Sequence, residues 1–150
     1  MKTWLLISVA TLLMSFSGCD REAAVEPVNV DQLLGSWKLV EPGSYDVTLV
    51  IEPVVQTWEK LPVQLFSLSG KSAVNTYNSS LNYTDRSKPA ITISAIGATK
   101  MAGSSNAMQF EQAYFANLKA VNRYELTSKN KLRLYYDSTQ TGMLVYEKTN

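Results

Sequence analysis

The chain has 150 residues, with 14 basic and 13 acidic side chains, no histidine and one cysteine. Without histidine, neither a Ser-His-Asp nor a Cys-His catalytic arrangement can form, and a zinc site of imidazole or thiolate ligands is excluded. A single cysteine excludes a disulfide within the chain. The near balance of charge lacks the basic excess of a nucleic-acid-binding protein, so we expect no nucleic acid among its partners.

The first 19 residues have the pattern of an export signal. Lys2 is followed by an apolar run over residues 4–16 and then by Ser17, Gly18 and Cys19. The run is shorter than the ~20 residues that span a bilayer, which indicates a signal peptide over residues 1–18 and not a membrane helix. Two small residues directly before a cysteine resemble a bacterial lipobox, which predicts that Cys19 is the acylated N-terminus. The alternative is an ordinary cleaved signal followed by a chance cysteine.

Acylation at Cys19 would anchor the protein, because each buried CH₂ contributes about 0.8 kcal/mol and such lipoproteins carry several chains. We therefore expect a lipid-anchored protein of the cell envelope, in the outer membrane. Removal of Lys2 with the signal leaves 13 basic and 13 acidic residues, a formal charge of zero. Residues 20–30 show no periodicity and no aromatic side chain, so residues 19–30 are predicted to be the acylated cysteine and a flexible tether. Residues 31–150 fit a single domain.

The first half of this domain alternates apolar and polar residues. Trp37 and Leu39 predict a first strand with an inward tryptophan, and a second strand follows with Val47, Leu49 and Ile51 in one phase. Residues 53–62 lack a pattern and predict a long connection. Trp58 within that connection is either a binding residue or a cover for core surface.

One continuous strand is predicted from Val63 to Tyr77, with a bulge near Leu65 or Gly70 because the apolar positions change phase. The polar residues 78–89 then predict a hairpin loop. Alternation resumes at residues 91–95 in a half-buried strand that leads directly into a helix.

The helix is predicted from its cap residues and its apolar stripe. Ser104, Ser105 and Asn106 are possible N-caps, and Asn106 with Gln109 has the spacing of a capping box. Asn122 can end the helix in the left-handed conformation. The stripe predicted to face the core consists of Ala107, Phe110, Tyr114, Leu118 and Val121. Residues 124–148 then predict three strands of an antiparallel meander.

The stretch from Ser69 to Gly103 contains Gly70, Asn75 and Tyr77, followed by Thr99, Met101 and Ala102. With these residues it resembles the META domain, also called the HslJ-like domain, of bacterial envelope proteins. The family pattern is a glycine, a Gly-Cys-Asn-x-Tyr segment and a Thr-Arg-Met-Ala-Cys segment before a short helix and a hairpin. Val74 and Gly103 stand where the family often has cysteines, and those two positions are expected to lie near each other. The residues that match the pattern are Gly70, Asn75, Tyr77, Thr99, Met101 and Ala102.

Strands followed by one helix and more strands indicate an α+β domain. The resemblance implies a curved antiparallel sheet that forms a partly open, conical barrel-like structure wrapped on one main helix. Asn75 and Tyr77, together with Trp58, are the candidate binding residues, although a structural role for the Asn75 amide is favoured because a buried polar group needs partners.

Three classes of function follow. The first, implied by the resemblance, is a non-enzymatic envelope lipoprotein that binds a protein or has a structural or stress-related role. The second is a lipocalin-like carrier of a small apolar ligand in the barrel. The third is an enzyme that uses Asp46 and Glu52 as paired carboxylates, although such residues usually line a solvated edge. We favour the first, and we expect no catalytic residue, cofactor or metal site, because the acids are scattered and form no calcium-binding loop.

Overall fold

The computed structural model describes residues 30–54, 64–83, 90–127, 130–137, 139 and 141–149. In these residues a short 3-10 turn, Val30–Leu33, precedes nine strands and one α-helix, which confirms the predicted α+β class. Cys19, Trp58 and the predicted signal and tether before Val30 lie outside the described residues. The elements are β1 (Gly35–Glu41), β2 (Thr48–Pro53), β3 (Gln64–Lys71), β4 (Thr76–Tyr83), β5 (Ile91–Ile93), β6 (Gly97–Ala98), α1 (Ser105–Ala120), β7 (Arg123–Thr127), β8 (Lys131–Tyr135) and β9 (Met143–Thr149).

The strands form one antiparallel sheet in the order β5-β4-β3-β2-β1-β9-β8-β7, with β6 also paired to β4. The two outer strands of this order meet where Ala90 bridges to Arg123 and where Ile91 N–H donates to the Asn122 carbonyl over 3.2 Å. The sheet therefore curves into a barrel that is nearly closed, with one seam between β5 and β7. This confirms the predicted partly open barrel with one main helix.

The barrel interior is filled by the apolar phase of the strands and by α1. Trp37, Leu39, Val47, Leu49 and Ile51 are buried, as the alternation predicts. The indole N–H of Trp37 also donates to a backbone carbonyl of the 3-10 turn over 2.9 Å, so its one polar atom is satisfied. The largest fully buried side chains are Trp37, Tyr83, Tyr124, Tyr146 and Phe66.

The single strand predicted from Val63 to Tyr77 is wrong, because the chain turns between Lys71 and Thr76. Ser72 N–H donates to the Asn75 carbonyl over 2.7 Å and closes this turn. β3 and β4 then pair in one regular register from 64–71 to 76–83, so no bulge is needed. Residues 78–83 belong to β4 and not to a loop. Their many Ser and Asn residues are typical of turns, but Leu81 and Tyr83 face the core.

The helix begins after the first of the three predicted N-caps, and it ends differently than predicted. Ser104 is the N-cap, since its hydroxyl accepts from Ala107 N–H over 3.3 Å, and Asn106 lies inside the helix without a capping-box role. Val121 caps the C-terminus, and its N–H donates to the Leu118 carbonyl over 3.3 Å. Asn122 is not left-handed. Its N–H donates to the Tyr135 carbonyl of β8 over 3.0 Å, and its carbonyl accepts from Ile91 N–H of β5 across the seam.

The apolar stripe of α1 is confirmed except at Phe110. Ala107, Tyr114, Leu118 and Val121 are buried, whereas Phe110 is half-buried at the edge of the core, with its ring centroid 4.7 Å from that of Tyr45. The fourth inward position of the helix belongs instead to Glu111, which is only 5% exposed. The connection between β5 and α1 is also longer than predicted, and it contains β6.

The two ends of the barrel differ. The start of β2 lies beside the end of β3, where Lys71 N–H donates to the Thr48 hydroxyl over 3.1 Å. We call this the turn end; it comprises the turn 72–75, the segment 97–104 and the first turn of α1. The other end of β2 pairs with Gly35, the first residue of β1. The chain therefore enters the barrel at the end opposite the turn end.

Candidate functional site

A buried polar pair joins the helix to the β3–β4 turn. Asn75 is 3% exposed and Glu111 is 5% exposed. The Asn75 amide Nδ2 donates to Glu111 Oε1 over 2.6 Å, and the backbone N–H groups of Asn75 and Val74 donate to Oε2 over 2.8 and 3.1 Å. One carboxylate thus satisfies two backbone donors of the turn and one side-chain donor.

The other side of the Asn75 amide holds the segment that follows β6. Its Oδ1 accepts from the Thr99 hydroxyl over 2.8 Å and from Met101 N–H over 2.7 Å. An amide can donate on one side and accept on the other, which a carboxylate or a hydroxyl cannot do in this arrangement. Asn75 therefore fixes both the helix and the segment 99–101 to one turn.

The electrostatics of Glu111 follow from these donors. Burial alone would raise the pKa of the carboxyl, but the hydrogen bonds from the Asn75 amide and from the backbone of Asn75 and Val74 outweigh it, so the pKa is lowered below its usual value. The side chain is therefore a carboxylate at neutral pH.

Two methionines are exposed at the turn end. Met101 is 63% exposed although its N–H is tied to Asn75, and Met108, in the first turn of α1, is 41% exposed. A groove of about 550 Å³ lies along this side of the helix, between Met108 and the half-buried Phe115. We call the exposed side chains of Met101 and Met108, together with Phe115, the methionine surface; Met108 and Phe115 line the groove, and Met101 does not. The complete lining of the groove is Ser105, Met108, Gln109, Glu111, Gln112 and Phe115.

Tyr77, the second candidate binding residue in the described part, is buried in the core. Its hydroxyl donates to the Thr48 carbonyl over 2.9 Å and lies 2.7 Å from the hydroxyl of Tyr114, which is 3.1 Å from that of Tyr146. Burial raises the pKa of all three phenols, so they are neutral. Gly70 leaves room for this contact, because a Cβ there would lie 2.1 Å from the Thr48 oxygen and 2.9 Å from the Tyr77 hydroxyl.

The two positions where the family often has cysteines lie side by side. A Cβ placed on Gly103 would be 3.5 Å from the Val74 Cβ and 2.5 Å from its Cγ2. The first distance is within the range of disulfide bonds. In this chain the Val74 side chain occupies the space that a side chain at position 103 would need.

The carboxylates considered for acid–base chemistry are separate. Asp46 precedes β2 and is exposed, and the hydrogen bond and charge of Lys38, 2.8 Å away, lower its pKa. Glu52 lies near the opposite end of β2 and is also exposed. Within the described residues, no three His, Cys, Asp or Glu side chains are grouped so that they could hold a metal ion.

Comparison with known proteins defines the class of this chain. Residues 31–149 match the META domain, so the chain belongs to the META domain family. A solved structure, described as the NMR structure of the protein from Burkholderia xenovorans, is similar in fold, with a TM-score of 0.56 and 22% identity over 85% of this chain and 92% of that chain. No curated protein matches the chain. None of the helices in the described part is long and apolar enough to cross a membrane.

Sequence reasoning identified Asn75 but missed its partner Glu111. A signal was present, since Glu111 follows Ala107 by four residues and precedes Tyr114 by three, which places a carboxyl on the core stripe of α1. Such a residue needs a buried donor, and Asn75 is a buried donor without a partner near it in sequence. Only the fold shows that the two meet.

Proposed function

We propose that this META-domain protein is a non-enzymatic, lipid-anchored protein of the cell envelope that binds a protein partner through its methionine surface. The observation that carries this proposal is the exposure of Met101 and Met108 beside the buried Asn75–Glu111 pair. Exposed apolar side chains cost free energy in water, and methionine adapts its shape to different apolar partners. The hydrogen bonds of Asn75 hold this surface in place before a partner arrives.

The direction in which the chain enters the domain supports a partner on the far side from the membrane. The acylated Cys19 would precede β1, and β1 starts at the end opposite the methionine surface. A tether of residues 20–30 reaches about 36 Å when fully extended, at about 3.3 Å per residue. The methionine surface would then point away from lipid and toward other envelope proteins.

The filled interior supports a protein partner over an apolar ligand held in the barrel. Trp37, Phe66, Tyr83, Tyr124 and Tyr146 occupy the space between the strands and α1. Two grooves lined by described residues, one beside β6 and one along α1, open on the outer surface. Neither is the deep apolar cavity that a lipocalin-like carrier needs.

The test is site-specific photo-crosslinking of the full chain in the envelope of a bacterial host. A photoreactive amino acid at position 108 should give a discrete adduct, and Met101→Ser should reduce its yield at least tenfold. The matched control is a photoreactive residue at Val54, which is 37% exposed at the opposite end of the barrel and should give no such adduct. Equal adducts from positions 108 and 54, or an adduct that Met101→Ser does not change, would contradict the proposal.

A further inference from the structure

The outer edge of the sheet beside β4 is partly covered at β5. In the pairing of β4 with β5, the backbone groups of Ile91 and Ile93 point away from β4. Ile91 N–H donates to the Asn122 carbonyl at the seam, and the Ile93 carbonyl accepts from Lys119 Nζ over 2.7 Å. At β5 the fold therefore supplies partners for outward backbone groups.

The same edge is uncovered at β6. Thr99 N–H donates to the Thr76 carbonyl over 3.1 Å, so Thr76 and Thr99 form a hydrogen-bonded pair. Because such pairs alternate along an antiparallel ladder, the Tyr77–Ala98 pair next to it is not hydrogen-bonded, and both backbone groups of Ala98 point outward. Ala98 makes no hydrogen bond to a described residue.

The exposed edge extends past β6. Thr99 N–H and Met101 N–H both point inward, to Thr76 and Asn75. The strand itself ends at Ala98. An extended backbone beyond it would turn the backbone groups of Lys100 outward, at the two-residue spacing from Ala98 that a strand edge presents. Every residue from Gly97 to Asn106 is exposed. This edge differs from a mobile loop, because Asn75 and Thr76 hold it from the inside.

We propose that an extended segment of the partner protein adds to this edge as a further strand beside β6; the proposal rests on the proposed protein-binding function and specifies the partner's form. The outward N–H and C=O groups of Ala98 and Lys100 match the alternating donors and acceptors of another extended backbone. A groove of about 360 Å³ beside β6, lined in part by Thr76, Gly97 and Ala98, accommodates one of its side chains. Exposed Lys100 and Lys71 at this end favour a segment with an acidic side chain.

The experiment uses short random peptides displayed on phage and selected against the purified, membrane-extracted full chain. Ala98→Pro removes the outward N–H but no hydrogen bond to β4, so the barrel should fold as before, as a proline on an edge strand allows. Ala98→Val keeps the N–H and is the matched control. We expect selected peptides to be rich in Asp and Glu and to lose at least tenfold in affinity for Ala98→Pro. The loss for Ala98→Val should be smaller, because that variant keeps the N–H and changes only the side chain beside the groove.

The outcomes separate this inference from the function on which it rests. Peptides that bind Ala98→Pro as tightly as wild type but are lost in Met101→Ser would overturn strand addition and leave the methionine surface as the binding site. Recovery of no peptide would also overturn strand addition, while the crosslinking experiment would still decide the protein-binding function. Hydrogen exchange of the backbone amides supplies a second measurement. Ala98 N–H should exchange fast in the free protein and slowly with peptide bound. Slow exchange in the free protein would overturn the proposal.

Discussion

Glu111 is a buried, ionised carboxylate that hydrogen-bond donors stabilise, and it forms no ion pair with a described residue. Its three donors come from the turn that Asn75 organises, 36 residues away in sequence. Removing one partner of such a group leaves the others buried and unsatisfied, which costs more than the bond itself contributes. The pair is therefore the residue contact on which the geometry of the turn end depends.

We predict that Glu111→Gln destabilises the protein by about 1–3 kcal/mol. The glutamine oxygen can still accept from the backbone of Asn75 and Val74, but its NH₂ group then faces the NH₂ group of Asn75, and two donors oppose each other. Chemical denaturation should report the change in the free energy of unfolding. Gln112→Ala, on the exposed neighbouring position, is the control and should change stability by less than about 0.5 kcal/mol. Equal stability of Glu111→Gln and wild type would contradict this assignment.

The pH dependence of stability follows from the same carboxylate. Its pKa is lowered in the folded protein from the ordinary value of 4.5, so the unfolded chain binds the proton more tightly. The stabilisation is complete above pH 4.5 and is lost as the pH falls through the lower pKa of the folded state. Thermal unfolding across this range should show a shallower acid-side loss for Glu111→Gln than for wild type. Parallel curves would show that Glu111 does not titrate with folding.

At the scale of elements, the contact of Val74 with Gly103 joins the β3–β4 turn to the start of α1. The family often places cysteines here, whereas this chain uses a valine against a glycine. We predict that Val74→Cys with Gly103→Cys forms a disulfide, because the Cβ positions are 3.5 Å apart, and that it stabilises the domain by about 3 kcal/mol in the chain-entropy account.

The measurement compares the midpoint of thermal unfolding with and without reductant. The control is Gly103→Ala alone, which should destabilise because its Cβ would lie 2.5 Å from Val74 Cγ2. Adding Val74→Ala to that control should recover part of the loss, since it removes the clashing methyl groups. A double-cysteine variant that stays reduced under oxidising conditions would contradict the geometry.

The helix packs on the barrel through Leu118 more than through Phe110. Leu118 is fully buried, whereas Phe110 is half-buried against Tyr45. We predict a loss of about 3 kcal/mol for Leu118→Ala and a smaller loss, about half of that, for Phe110→Ala. Denaturation of both variants in parallel measures the order. A larger loss for Phe110→Ala would show that the helix sits deeper on that side.

At the scale of the whole molecule, the nearly closed barrel separates the point where the chain enters from the turn end. We predict that Cys19→Ala releases the protein from the membrane fraction. In the lipoprotein assignment the acyl chains on Cys19 are the anchor of the wild-type protein, and the variant cannot carry them. Fractionation followed by an alkaline wash measures this, with wild type as the control. A variant that still sediments with membranes after the wash would contradict the lipoprotein assignment.

The sequence by itself determined the inward faces of β1 and β2, the core stripe of α1 apart from Phe110, and the three-stranded meander. These features follow from local periodicity, because a strand or helix that buries one face must repeat its apolar residues at two or 3.6 residues. The signal-like pattern before Cys19 and the near balance of charge are likewise read from the sequence without a fold.

Only the tertiary structure decided that residues 72–75 form a turn, that the polar residues 78–83 form a strand, and that Glu111 meets Asn75. Each depends on contacts that a segment makes with other parts of the chain. The Ser and Asn residues of β4 lie in a strand because β3 pairs with them over its whole length, and Glu111 tolerates burial because the turn brings three donors to it. Local propensity cannot encode these outcomes, since a polar side chain is stable wherever its hydrogen bonds are satisfied, and the partners that satisfy them are chosen by the fold.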